Sequence, residues 1–146
     1  MFGGCNLTGR LFEEEFFGIC SGYSIGYMSY RRAMDAAKRS QPVGWDPKDP
    51  PTETANNFHA RVCLALEKIT GLEEWSEVEL WSAIGSALDR FHGIDGWFQF
   101  RGRVVTIDLT LDPQKESGRA DFVLHPEDLE SNPVIQSIAE ALGGVA

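Results

Sequence analysis

The spacing of apolar residues changes once along this chain, and that change constrains the fold more than any other feature. Up to about His92 the apolar side chains recur every three or four residues, which is typical of amphipathic helices. From Trp97 to Leu111 apolar and polar side chains alternate, which is typical of strands with one buried face. Helices that precede a sheet predict an α+β fold.

The alternating segment predicts a β-hairpin. Its first strand covers 97–100, its turn is Arg101-Gly102-Arg103, and its second strand covers 104–111. A further strand at 120–124 completes a three-stranded antiparallel meander over 96–124. Helices predicted over 55–70, 75–92 and 133–142 are expected to cover this meander.

The segment before the meander predicts an N-terminal arm and a linker. Residues 7–39 are predicted to form a helical hairpin, whose Phe16, Tyr23 and Tyr27 need burial against the core or in a homodimer. Four prolines within 41–54 predict a linker. We therefore expect one domain over 1–146, with an α+β core at 55–146.

The charge balance limits the classes of partner. A chain of 146 residues with a formal net charge of −9 is not one whose whole surface binds nucleic acid. A local basic cluster exists, however, at Arg31, Arg32, Lys38 and Arg39. Its two interpretations are a nucleic-acid contact and a solvated helix face. The nearby tyrosines at helical spacing are typical of a core or an interface, and a base-stacking platform is the alternative.

Cysteine usage and hydropathy predict the compartment. Three widely spaced cysteines without a CxxC pair indicate a reducing environment. The uncharged run at 16–30 is too short to span a bilayer, and the first residues do not resemble a signal peptide. We expect a soluble cytoplasmic protein with no membrane partner.

Two carboxylates stand out in the hairpin. Asp95 begins the first strand, and Asp108 lies in the second, towards the same end of the hairpin. A turn that pairs Phe100 with Val104 places Asp95 opposite Leu109, so convergence of the two carboxylates requires a bend, which Gly96 permits. Two carboxylates at the end of a sheet predict a site for Mg²⁺ or Mn²⁺, which would polarise a phosphate and activate water.

The segments His92-Gly93-Ile94-Asp95 and Val104-Val105-Thr106-Ile107-Asp108-Leu109-Thr110 resemble the metal-binding hairpin of the PD-(D/E)XK nuclease superfamily. The resemblance implies a restriction-endonuclease-like core and metal-dependent hydrolysis of phosphodiester bonds in nucleic acid. It also implies that Asp95, Asp108 and the Leu109 carbonyl bind the metal. A glutamate on the preceding helix would join the catalytic set, with Glu79 as the candidate and Glu67 as the alternative.

The chain departs from the family pattern at two places. Thr110 stands where the family has its lysine, and Lys115 in the following loop is expected to reach back and replace it. The helix predicted over 75–92 leaves no room for the strand that the family usually has before its first Asp. The alternative to a nuclease is therefore an inactive nuclease-like scaffold that acts as a protein-binding module.

Overall fold

The computed structural model describes residues 5–21, 26–71 and 75–144, with only the backbone described for 5–10. The fold is α+β, with five α-helices and a four-stranded mixed sheet. The helices are α1 (Cys5–Phe17), α2 (Tyr30–Arg39), α3 (Glu53–Thr70), α4 (Ala87–His92) and α5 (Asn132–Gly143); the strands are β1 (Glu79–Ser82), β2 (Gly96–Phe100), β3 (Arg103–Leu109) and β4 (Phe122–Leu124). Within these ranges no helix has both the length and the apolar composition needed to cross a bilayer.

The sheet has the order β1-β2-β3-β4, and its last strand runs parallel to its neighbour. The predicted antiparallel meander is therefore wrong at its third strand. The segment 110–121 is long enough for the crossover that a parallel pair requires. Two reciprocal bonds fix the start of β4 beside β3: the Thr106 N–H donates to Asp121 Oδ2 over 2.9 Å, and the Asp121 N–H donates to Thr106 Oγ1 over 2.8 Å.

The helix predicted over 75–92 is also wrong. Its middle forms β1, which pairs antiparallel with β2 from Glu79 opposite Gln99 to Ser82 opposite Gly96. Gly85 then adopts φ +81°, a left-handed conformation that cannot continue a helix. Within 75–92 a 3₁₀ turn at Trp75–Glu77 and the short helix α4 are the helical parts. Pairing with a distant strand overrides the helical spacing of the local apolar residues.

The hairpin turn has two residues, one fewer than predicted. Arg101 and Gly102 both have positive φ, at 49° and 83°, as a type I′ turn requires. Phe100 therefore pairs with Arg103 rather than with Val104. This shift of one residue changes which side chains oppose each other along the whole hairpin.

Helices pack on both faces of the sheet. One face presents Leu80, Phe98 and Ile107 to a core that includes residues of α1, α3 and α5. The other face carries Trp81 and Trp97, whose rings stack at 6.0 Å, and it packs against α2 and α4. Asp95 and Asp108 lie at the end of this layered core, at the 96–107 end of the hairpin.

The N-terminal segment is partly buried and partly exposed. Phe16 and Phe17 of α1 are buried in the main core, as Phe16 was predicted to be. Tyr27 is 69% exposed and so is not buried against the core, and Tyr23 lies outside the described residues. Dimerisation through these helices stays a prediction.

The proline-rich segment lies along the outer edge of β1. The Trp45 indole N–H donates to the Leu80 carbonyl over 2.9 Å, and the Leu80 N–H donates to the Pro47 carbonyl over 2.8 Å. These bonds satisfy backbone groups on an edge strand that would otherwise be open to pairing with another chain.

Candidate active site

Asp95 occupies the position where regular pairing of the hairpin stops. Gly96 pairs with Ile107, and the Asp95 N–H also donates to the Ile107 carbonyl over 2.8 Å. Two consecutive residues thus oppose one, the irregularity of a β-bulge, at the place where the sequence requires a bend. The Leu109 N–H, which a continued ladder would pair with main chain, donates instead to Asp95 Oδ2 over 2.7 Å.

The observed register is shifted by one residue from the predicted one, and its regular pairing ends at Gly96 opposite Ile107. The predicted pairing of Phe100 with Val104 is wrong because the turn has two residues instead of three, although Leu109 does contact Asp95 through its N–H. The Asp95 and Asp108 carboxyl groups share a side-chain hydrogen bond. Both are buried, at 3% and 8% exposure.

Two further carboxylates approach Asp95 from outside the hairpin. Glu13 of α1, Asp89 of α4 and Asp95 each offer an oxygen, and these three oxygens lie within 4.8 Å of one another. The Gly85 N–H donates to Asp89 Oδ2 over 2.9 Å, which orients that carboxylate at the start of α4. Four acidic groups from three parts of the chain therefore meet at one end of the sheet.

This arrangement raises the pKa of Asp95 far above its usual value. Burial is the largest cause, the negative charges of Asp89 and Glu13 add to it, and Asp108 contributes a hydrogen bond and its charge. Like charges that share a site cannot all ionise freely. In the absence of a cation Asp95 therefore holds a proton.

Lys115 supplies the positive charge nearest to this cluster. Its Nζ lies 2.6 Å from Asp108 Oδ2, and its replacement of the lysine missing at position 110 stays a prediction. The hydrogen bond and the charge of Asp108 raise the pKa of Lys115, whereas partial burial opposes the shift. The raised pKa favours the charged form of Lys115, which suits it to donate hydrogen bonds.

Thr110 has a structural role in the loop that carries Lys115. Its Oγ1 accepts the Asp112 N–H over 3.0 Å, and the Lys115 N–H donates to the Asp112 carbonyl over 3.1 Å. His125 Nε2 lies 2.9 Å from the same carbonyl, which anchors the turn to the segment after β4. The side chain of Thr110 caps a turn here, as Thr often does.

An open cleft leads to the Asp108–Lys115 pair. Its volume is about 330 Å³. The lining residues are Asp89, Arg90, Phe91, Gly93, Asp108, Lys115, Gly118 and Arg119. The lining carries three cationic side chains and two carboxylates, and this net positive charge suits an anionic ligand.

The structure does not bring Glu79 or Glu67 to this site. Glu79 accepts the Trp81 indole N–H over 3.1 Å, and Glu67 accepts the Trp75 indole N–H over 2.8 Å. Glu79 stands three residues along β1 from the residue that pairs with Gly96, a separation of about 10 Å.

Sequence reasoning missed the two acids that do approach Asp95. Asp89 lies on the short helix just before the His92-Gly93-Ile94-Asp95 segment, so its nearness in sequence was a usable signal. Glu13 carries no such signal, since it is one of three consecutive glutamates at the far end of the chain. Glu13 reaches the site only because α1 packs against the rest of the fold.

A buried histidine–cysteine pair elsewhere lacks the properties of a nucleophile. Cys63 Sγ lies 3.8 Å from His59 Nε2, the spacing of a weak hydrogen bond. Burial raises the pKa of the Cys63 thiol to about 12, and burial lowers the pKa of His59. The thiol therefore stays protonated inside the core, where no substrate reaches it.

The chain matches no protein-family model, no curated protein and no solved structure.

Proposed function

We propose that this protein is a nuclease that hydrolyses phosphodiester bonds with the help of Mg²⁺ or Mn²⁺, on a restriction-endonuclease-like core. One observation carries the proposal: Asp95 and Asp108 converge at the end of the hairpin, and Lys115 contacts Asp108 at the wall of an open cleft. This is the arrangement of charges that the resembled family implies.

The chemistry of the donor set fits a hard divalent cation. Glu13, Asp89, Asp95 and Asp108 offer carboxylate oxygens, which Mg²⁺ and Mn²⁺ prefer over nitrogen or sulfur. Burial and the neighbouring negative charges raise the pKa of Asp95, and a bound cation would oppose both effects. A bound cation supplies Lewis-acid polarisation of a phosphate and a lowered pKa for a coordinated water. The Leu109 carbonyl stays a predicted ligand.

The chain's own residues hold and orient the charges. The Leu109 N–H fixes one oxygen of Asp95, so the direction of that carboxylate is set by the backbone of β3. Lys115, being protonated, can donate to a non-bridging phosphate oxygen and stabilise the charge that develops there. Arg90 and Arg119 at the rim attract the phosphate backbone.

The topology adds support to the proposal. β1 lies between α3 and the strand that follows Asp95, where the resembled family usually has a strand. The helix expected over 75–92 had left that strand no room. Lys115 in the crossover supplies the lysine that Thr110 does not.

Cleavage assays with matched variants test the proposal. Supercoiled plasmid, single-stranded DNA and RNA are incubated with wild type and Mn²⁺ or Mg²⁺. Asp108→Asn is expected to lower the rate by about 100-fold or more, because one metal-binding carboxylate and the partner of Lys115 are lost. Glu53→Gln, an exposed change in the first turn of α3, is the control and should leave the rate unchanged.

Lys115→Ala is expected to lower the rate without abolishing metal binding, and exposed Lys48→Ala is its control. A wild-type protein that cleaves none of these substrates with either metal contradicts the proposal. Calorimetric binding of Mn²⁺ without cleavage would instead favour the inactive scaffold that serves as a protein-binding module.

A further inference from the structure

We propose that Tyr27 and Phe91 form a platform on which an unpaired base of single-stranded nucleic acid stacks, beside the cleft that holds Asp108 and Lys115. The inference rests on the proposed function and deepens it, because it names single strands as the substrate class. The surface formed by Tyr27, Tyr30, Phe91 and His92 is called the aromatic platform below.

The aromatic platform consists of rings that contact each other at the surface, where half-buried Phe91 also packs against the core that includes residues of α2 and α4. Tyr27 is 69% exposed, and its ring meets that of Phe91 edge to face, with centroids 5.6 Å apart. The His92 ring lies 5.6 Å from Tyr27 and 5.8 Å from Tyr30. His92 Nε2 lies 2.8 Å from the Met28 carbonyl, which joins the two segments that carry the rings.

The exposure of Tyr27 is the feature that calls for an explanation. A tyrosine buries up to about 150–250 Å² when it packs in a core. Here the Tyr27 side chain contacts the Phe91 and His92 rings yet stays 69% exposed. A fixed, exposed aromatic ring is what base stacking uses, and every base has a face that fits it.

The aromatic platform is continuous with the cleft. Phe91 is itself a lining residue of the cleft. The Arg90 guanidinium lies over the Phe91 ring at 5.4 Å from its centroid, and Arg119 Nη1 donates to the Phe91 carbonyl over 2.8 Å. The phosphates of a nucleotide whose base stacks on the platform would therefore lie beside Arg90 and Arg119, in the cleft that Lys115 also lines.

On its other side the aromatic platform adjoins a groove along α2. The groove has a volume of about 210 Å³ and is lined by Met28, Arg32, Asp35, Ala36 and Arg39. Lys38, in the same basic cluster, instead lies over the Trp81 ring at 5.2 Å and belongs to the sheet side of α2.

Charge complementarity favours a nucleic-acid strand as the occupant. The path from the cleft across the platform to the groove carries five Lys or Arg side chains and three Asp side chains. This excess of positive charge occurs in a chain whose net charge is −9. A basic path interrupted by an exposed ring matches the repeating phosphates and bases of a single strand.

A duplex does not fit this platform in the same way. Its base faces are covered by the neighbouring base pairs, so a ring can stack only on an unpaired or terminal base. Single-stranded DNA and single-stranded RNA share the chemistry that the platform recognises, and separate arms of the test distinguish them.

Fluorescence anisotropy in EDTA tests the inference without any need for cleavage. The probes are labelled dT20, U20 and a blunt 20-base-pair duplex. Tyr27→Ala is expected to weaken binding of a single strand by roughly tenfold. Tyr27→Phe, which keeps the ring, should bind as wild type does. Leu64→Ala, at a side chain of α3 that is 47% exposed, is the control for loss of an exposed apolar group.

A charge variant tests the path of the backbone. Arg119→Ala is expected to reduce the slope of log affinity against log salt concentration by about one. Arg61→Ala, on the exposed side of α3, is the matched control and should leave the slope unchanged. Thermal melts of each variant show that the fold is intact.

Two results would overturn the inference. Equal single-strand affinities for wild type and Tyr27→Ala would remove the stacking role. An equal loss of affinity for duplex and single strands in Tyr27→Ala would show a general surface contact rather than base stacking. The proposed nuclease activity could still stand in both cases, and failure of cleavage would leave the EDTA binding results unaffected.

Discussion

Replacement of Asp95 by Asn keeps this position neutral at every pH. Comparison with wild type therefore measures how much ionisation of Asp95 within the acidic cluster changes the free energy of unfolding. The Asn side-chain oxygen can still accept the Leu109 N–H, and its amide can donate to Asp108 as the protonated acid does. The packing of the site is thereby preserved while one titration is removed.

The magnitude follows from linkage between protonation and folding. The pKa of Asp95 is raised in the folded protein above its value of 3.8 in the unfolded chain. The stability that this proton contributes is complete below pH 3.8 and is lost as the pH rises towards the folded-state pKa. Over that interval the unfolded chain binds fewer protons, so the free energy of unfolding falls by up to about 1.4 kcal/mol per pH unit.

The Asp95→Asn variant does not lose this stability as the pH rises. The difference in the free energy of unfolding between the variant and wild type should therefore grow with pH. Between pH 5 and pH 7 the difference in the free energy of unfolding is expected to increase by up to about 3 kcal/mol. Near pH 4 the two proteins should be close in stability. Urea unfolding followed by tryptophan fluorescence, in EDTA at pH 4 to 8, measures this difference, and exposed Glu53→Gln is the control.

Parallel stability curves for Asp95→Asn and wild type would refute this reasoning, since they would mean that position 95 takes up no proton on folding. A variant less stable than wild type at pH 7 would refute it as well. That result would assign Asp95 an ionised structural role, in which its charge is needed to hold Leu109.

Three other perturbations have defined outcomes. Millimolar Mn²⁺ should raise the melting temperature of wild type by several degrees and that of Asp95→Asn by much less, as scanning fluorimetry can measure. Gly96→Ala should lower the free energy of unfolding by about 3 kcal/mol in urea melts, because the added Cβ would overlap the Phe17 ring; an unchanged midpoint would contradict the close approach. His125→Ala should slow cleavage several-fold by loosening the turn that carries Lys115, while the rise in melting temperature with Mn²⁺ persists.

The parts of the fold that were predictable are those in which local pattern and tertiary pairing agree. The helix ending at Gly71 and the two hairpin strands follow from periodicity and turn residues alone. β1 was not predictable in this way, because its residues have helical spacing and become a strand only through pairing with β2. The direction of β4 depended likewise on the path of a twelve-residue connection.

The part of the site that could be predicted is the part whose residues lie close together in the sequence. Asp95 and Asp108 belong to one hairpin, and Lys115 follows within seven residues, so sequence spacing alone brought them into consideration. Glu13 reaches the cluster from about eighty residues away, through the packing of α1 against the core. No periodicity or motif in the sequence encodes such a contact. Glu79 was the predicted catalytic glutamate because it lay on the helix expected over 75–92, and that helix does not form.

Lys115 lies on the segment that connects β3 to β4 rather than on a strand, and this position affects how such a site can change during evolution. A strand residue must keep an even spacing from its neighbours to stay on one face, so a lysine borne by β3 could not shift by a single position. A surface connection tolerates insertions and deletions that a strand does not. Homologous chains can therefore differ in the number of residues between Asp108 and its lysine while they conserve the ion pair in space.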